Sequence, residues 1–109
     1  MGKPVIGEVV VIPFPQTDLQ VGKRRPALVV ADLQGDDLIL CQITTQSHHD
    51  NYSVPLTRGD FEQGRLHVNS FIRPNRLFTV DQAAIVYSAA KVKASKVEEV
   101  RSRIRQLFS

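Results

Sequence analysis

Three consecutive cations, Lys23, Arg24 and Arg25, run directly into the apolar stretch Pro26-Ala27-Leu28-Val29-Val30. Arginine is always charged and carries five donors in a planar fork, so Arg24 and Arg25 cannot follow Leu28 and Val29 into a core. They must stop at its rim. Pro26 has no N–H and pushes the residue before it toward an extended backbone, which suits a boundary between loop and strand. The loop ahead, Pro13 to Gly22, is rich in turn formers and neutral polar donors. A strand end that fixes cations beside such a loop is suited to an anionic ligand. A second polar run, Thr44-Thr45-Gln46-Ser47-His48-His49-Asp50-Asn51, follows the apolar run 38–43 and brings hydroxyls, amides and two imidazoles to one sheet edge. An ordinary solvated loop has the same composition.

Several chemistries do not fit. The chain has no glycine-rich phosphate loop, no Cys-x-x-Cys pair and no nucleophile elbow. His48, His49 and Asp50 are adjacent in a loop and lack the spacing of a helical or zinc-finger ligand set, so no metal and no other cofactor is expected. Cys41 is the single cysteine and lies in an apolar run, so it reads as a small core residue in a reducing compartment. What remains is arginine, threonine, serine, glutamine and histidine near strand ends. That inventory suits metal-free handling of a phosphodiester.

The charge balance agrees without being decisive. Lys plus Arg is 14 against 11 Asp plus Glu, a net charge of +3. The excess falls on Lys23, Arg24, Arg25, Arg58, Arg65, Arg73 and Arg76, all in or near predicted loops and strand ends. That placement favours an anionic partner, with a merely solvated surface as the alternative. No basic head precedes an apolar segment, and no apolar run approaches the ~20 residues of a membrane span, so a soluble cytoplasmic protein without a membrane partner is expected.

The elements that must position these residues are short. At 109 residues the chain has room for one domain, 1–109, with a modest core that would gain from oligomerisation. Strands are predicted at 7–12, 26–31 and 38–43, the second apolar on consecutive positions and therefore buried on both faces or central in its sheet. Gln34-Gly35-Asp36-Asp37 supplies a turn between the last two. A short strand is predicted within 52–56, no more than a brief helical turn over 58–64, and strands at 67–73 and 76–80 separated by a break at Pro74-Asn75. A last, weaker strand is predicted within 83–92, with Ile85-Val86-Tyr87 as its apolar part. Ser95 with Glu98 fits a capping box, and Val97, Val100, Ile104 and Leu107 recur at helical spacing, so one amphipathic helix should pack on the β-body or at a dimer contact. The fold class is mainly β with a C-terminal helix, a strongly curved antiparallel sheet or SH3-like barrel.

Four segments, in order, resemble the MazF/PemK toxins of bacterial type II toxin-antitoxin systems. Gly7-Glu8-Val9-Val10 is similar to that family's Gly-Asp-Ile-Val start, and Arg25-Pro26-Ala27-Leu28-Val29-Val30 to its Arg-Pro-Val-Leu-Val-Ile. Ile43-Thr44 resembles its strand-ending Ile-Thr, and the segment from Ser70 through Arg76-Leu77-Phe78-Thr79-Val80-Asp81 resembles Ser-x-x-x-x-x-Gln-x-x-Thr-hydrophobic-Asp, with Arg76 in place of the Gln.

The resemblance implies a MazF/CcdB-like barrel that forms a homodimer, with single-stranded RNA as substrate and a cognate antitoxin as partner, the two toxin-antitoxin proteins binding DNA together. It implies a metal-independent endoribonuclease, an mRNA interferase, in which the ribose 2′-hydroxyl attacks the adjacent phosphate. The family's catalytic arginine falls on Arg25 and its threonine on Thr44. RNA-binding positions are expected at Phe14, Gln16, Thr17, Lys23 and Arg24 in and beside the first loop, and at Thr45, Gln46, Ser70, Arg73 and Arg76. Arg25 is a poor general base, since its neutral form is very rare, so it is assigned electrostatic work. His48 and His49 are candidates for acid/base duty, against the alternative that they only decorate a loop. A CcdB-like poison of DNA gyrase, a binding-only family member and an unrelated β-barrel adaptor stay open as alternatives.

Overall fold

The computed structural model describes residues 2–13, 23–47 and 50–109. Seven strands and one helix follow in order: β1 Glu8–Pro13, β2 Arg24–Asp32, β3 Asp37–Thr44, β4 Val54–Leu56, β5 Phe61–Gly64, β6 Ser70–Asp81, β7 Tyr87–Val92 and α1 Ala94–Leu107. All pair antiparallel in one sheet with the order β4-β6-β3-β2-β1-β7-β5. The expected class is therefore found: a curled half-barrel sheet with a C-terminal helix.

Alternation along the strands divides the core in two. On one face Val9, Leu28, Val30, Cys41, Ile43 and Ile72 join Val54 and Leu56 from one edge, Ala90 and Val92 from near the other, and Val100 of α1. A flat sheet could not bring β4 and β7 into one cluster, since four strands separate them in the order; the sheet must curl around α1. On the opposite face Val10, Ile12, Ala27, Val29, Leu38 and Leu40 pack with Ile6, Phe78, Val80 and Ile85. Strand β2 contributes to both clusters and occupies the middle of the sheet, as its unbroken apolar run predicts. Gly35 closes the β2–β3 hairpin at φ +71, where an L side chain is rarely found.

Three expectations need correction. Pro74-Asn75 does not end a strand. β6 runs through it, pairing Leu77 with Cys41 and then Arg73 with Gln42, so that residues 74–76 bulge out of register. Proline lacks the ladder donor and is tolerated at such a bulge. The segment 58–64 is more than a turn: Arg58–Asp60 forms a short 3-10 turn and Phe61–Gly64 then pairs with β7 as an edge strand. Its sequence has no strand pattern, and the pairing is imposed by β7. The capping box at Ser95 and Glu98 is not formed either. α1 begins two residues earlier, at Ala94, with Lys93 as its extended N-cap, whose N–H donates to Asp60 O at 2.8 Å, and Glu98 instead accepts from Arg105.

Cys41 is fully buried in the core around α1, and burial pushes its thiol up to about 12. The unfolded thiol titrates near 8.5. Its folded-state value is raised, so its contribution to stability is constant below pH ~8.5 and is lost between there and about 12. At pH 8 a thiol reagent should therefore leave the native protein unmodified and label it completely in denaturant. Labelling of the native protein within minutes would contradict this packing.

Candidate functional site

The face opposite α1 changes character along its strands. On β3 the positions alternate Leu38, Leu40, Gln42, Thr44, so an apolar stripe becomes polar toward the strand's end. On β2 the same face runs from Val29 through Ala27 to Arg25. Ala27 is registered against Gln42, and carrying that register two residues further sets Arg25 opposite Thr44. Two distant segments thus meet because the hairpin register fixes them, not because they are close in sequence.

β6 completes the site through its bulge. Residues 73 and 76 in a regular strand would face opposite sides. The three-residue bulge shifts that phase, and both Arg73 and Arg76 line the same cleft. This cleft, about 340 Å³, is lined by Lys23, Arg25, Gln42, Thr44, Thr45, Gln46, Arg73 and Arg76. Among the described residues its lining carries four cations, two hydroxyls and two amides, and no carboxylate, thiol or imidazole. Among the described residues no group of three or more His, Cys, Asp or Glu could hold a metal ion.

Two local bonds prepare the cleft. Thr44 Oγ1 accepts from Gln46 N at 3.1 Å, which turns the chain and leaves the hydroxyl hydrogen to be donated. Asp50 Oδ1 accepts from Tyr52 N at 2.9 Å and Ser53 N at 3.1 Å, while its Oδ2 accepts from Arg73 Nη2 at 3.2 Å. These two N–H groups, and then Arg73, hold the Asp50 carboxyl below the usual carboxylate range.

Of the residues expected at the site, Arg25, Thr44, Lys23, Thr45, Gln46, Arg73 and Arg76 are brought together. Arg24 is exposed and does not line the cleft, since alternation turns it away from the Arg25 face. Ser70 is not brought there: it is 4% exposed, on the same face as core residue Ile72, and donates its hydroxyl to Val68 O at 2.8 Å. Phe14, Gln16, Thr17, His48 and His49 lie outside the described residues. Gln42 and Asp50 were missed. Gln42 had a signal, being two residues before Thr44 on one strand, whereas Asp50 had none because its partner is 23 residues away.

A second cavity, about 440 Å³, lies between β5 and β7, but its carboxylate is already engaged: Glu8 accepts from Ser88 Oγ at 2.6 Å and from Val5 N. No helix of the described residues is long and apolar enough to cross a membrane.

A family model described as PemK-like, MazF-like toxin of type II toxin-antitoxin system matches residues 6–108. Among solved structures, the MazE-MazF complex from Deinococcus radiodurans is similar at 21% identity, covering 100% of this chain and 98% of that one with a TM-score of 0.77. An endoribonuclease from a mycobacterial species is 12% identical over 99% of this chain and 93% of that one, with a TM-score of 0.75. An endoribonuclease in complex with its cognate antitoxin, also mycobacterial, is 15% identical over 99% and 95%, with a TM-score of 0.73. At these identities the likeness is one of fold. A search of the curated proteins gave no significant match.

Proposed function

The chain belongs to the PemK-like, MazF-like toxins of type II toxin-antitoxin systems, and from that membership we propose that it is an endoribonuclease cleaving single-stranded RNA without a metal, with a cognate antitoxin and a second copy of itself as partners. The observation that carries the reading is that Arg25 of β2 and Thr44 of the adjacent β3 line one cleft, whose ionisable side chains among the described residues are all cations. The mycobacterial structures support it from outside, since one is an endoribonuclease and another is an endoribonuclease bound to its antitoxin. A MazF-like family match does not favour the gyrase-poison alternative.

In this mechanism the 2′-oxygen attacks the adjacent phosphorus in line, and the bond from phosphorus to the 5′-oxygen breaks. Negative charge grows on the non-bridging oxygens. Arg25 donates to them from a guanidinium that stays charged throughout, and Thr44, whose oxygen is occupied by Gln46 N, donates its hydroxyl to orient the phosphate. The 2′-hydroxyl proton must leave and the 5′-oxygen must gain one. Among the described residues the cleft-lining side chains offer no ready acceptor at neutral pH, so a group outside that set takes the proton.

The direct test is substrate chemistry: a long single-stranded RNA should be cut, and its all-DNA copy, which lacks the 2′-hydroxyl, should not. Cutting of both would end the reading. Salt dependence gives an independent check. If Lys23, Arg25 and Arg76 meet phosphates, three contacts at a slope of about −0.7 each weaken RNA binding roughly 20-fold between 50 and 200 mM salt. Equal affinity at both concentrations would remove the electrostatic cleft.

A further inference from the structure

Arg73 is firmly held within the cleft. Its side chain is only 11% exposed, one terminal nitrogen is tied to Asp50, and its Nε is buried without a hydrogen-bond partner among the described residues. Asp50 is itself pinned by the backbone of Tyr52 and Ser53. Gln42 sits directly across the strand pair from Arg73, on the same face and in the same cleft. Two residues further along β3 is Thr44, about 7 Å away at the usual rise of a strand. That distance is within the span of a single nucleotide.

We propose that Arg73 and Gln42, with Asp50 as the positioning residue, form a base-reading subsite that selects guanine beside the phosphate held by Arg25 and Thr44. The proposal rests on the nuclease reading and names the base its cleft prefers. Two physical features separate this subsite from a phosphate contact. The Asp50 carboxylate compensates the charge of Arg73 and would repel a phosphate brought against it, whereas a neutral base edge pays no such penalty. A guanidinium fixed on one side also presents its remaining donors in a set plane, which is the requirement for bidentate recognition. Guanine offers two adjacent acceptors, O6 and N7, to such a fork; adenine replaces one of them with an amino donor. Gln42, with one acceptor and two donors on its amide, adds a contact that any unstacked base can meet.

The test maps cut positions on a long mixed-sequence RNA for the native protein, Arg73→Met and Asp50→Asn. The native protein should show guanine at one fixed position beside the cut, and Arg73→Met should lower that preference over adenine about tenfold. Asp50→Asn keeps an oxygen for the Tyr52 and Ser53 N–H groups, so the turn survives while the charge on Arg73 is released. It should relax the guanine preference and steepen the salt slope of RNA binding by about 0.7, because Arg73 becomes available to a phosphate. A merely structural role for Asp50 would not move that slope. Another base at the fixed position, or a guanine preference that survives both substitutions, overturns the subsite and leaves the nuclease reading standing. If the native protein cuts no RNA, the nuclease reading fails instead. The subsite is then decided by selection from a 2′-O-methyl RNA pool: guanine enrichment lost in Arg73→Met supports it, and absence of enrichment, or enrichment retained, overturns it.

Discussion

Arg25→Ala is expected to abolish RNA cleavage, with a loss of a hundredfold or more, and to leave the fold in place. Removing one preorganised donor from developing negative charge costs about 10²- to 10³-fold in comparable sites, and here the lost group is also charged. The side chain stands where the apolar stripe Val29-Ala27 has already ended, so its removal takes little from the core. A melting temperature within about 4 °C of the native protein is expected, equivalent to roughly 1 kcal/mol. Thr44→Val tests the other half of the pair at similar volume and should come close to the same loss. Replacing His48 and His49 together by alanine should cut activity far less. Normal cleavage by Arg25→Ala, or a dead double-histidine variant beside an active one, would shift the chemistry away from the β2–β3 pair.

Gly64→Ala should be strongly damaging although the residue lies on the surface, outside both the core and the site. Gly64 ends β5 at φ +66, and a Cβ there would meet the backbone oxygen of Ala89 at 2.6 Å and the Ala90 Cα at 3.0 Å. Neither neighbour is a flexible side-chain tip, so the clash cannot be relieved by a rotamer change. Backbone strain of about 1–2 kcal/mol adds to it, and a total of about 2 kcal/mol or more lowers the melting temperature by roughly 8 °C or more. Thermal unfolding followed by circular dichroism measures this. Hydrogen exchange should show the loss concentrated in β5 and its partner β7. An unchanged melting temperature would mean that the β5 edge is not held against β7 in this way.

The parts of the fold legible in the sequence are those whose pattern is local. β1, β2 and β3 announce themselves as apolar runs bounded by proline, glycine or polar clusters. Arg25 is legible for the converse reason, since a permanent charge beside Leu28 can only mark the rim. The illegible parts depend on partners far along the chain. Phe61-Glu62-Gln63-Gly64 is a strand only because β7 offers it a ladder. Pro74 reads as a terminator, yet β3 pairs with β6 on both sides of it and converts the break into a bulge, and that bulge sets Arg73 and Arg76 side by side. Ser95 and Glu98 have the spacing of a capping box, but the N–H of Lys93 is taken by Asp60 O and the helix starts before the serine. Gln42 was hidden inside an apolar strand, and Asp50 inside a polar loop. Each acquires meaning only when β6 is laid beside β3.

The chemistry is decided by the ends of the RNA fragments. With the native protein, excess chelator and a long single-stranded RNA, the downstream fragments should begin with a 5′-hydroxyl and the upstream ones should end in a 2′,3′-cyclic phosphate, at an undiminished rate. Attack by the ribose 2′-oxygen with Arg25 and Thr44 at the phosphate requires those ends and no added ion. Fragments carrying a 5′-phosphate and a 3′-hydroxyl, or cleavage that stops in chelator and returns with a divalent cation, would contradict it.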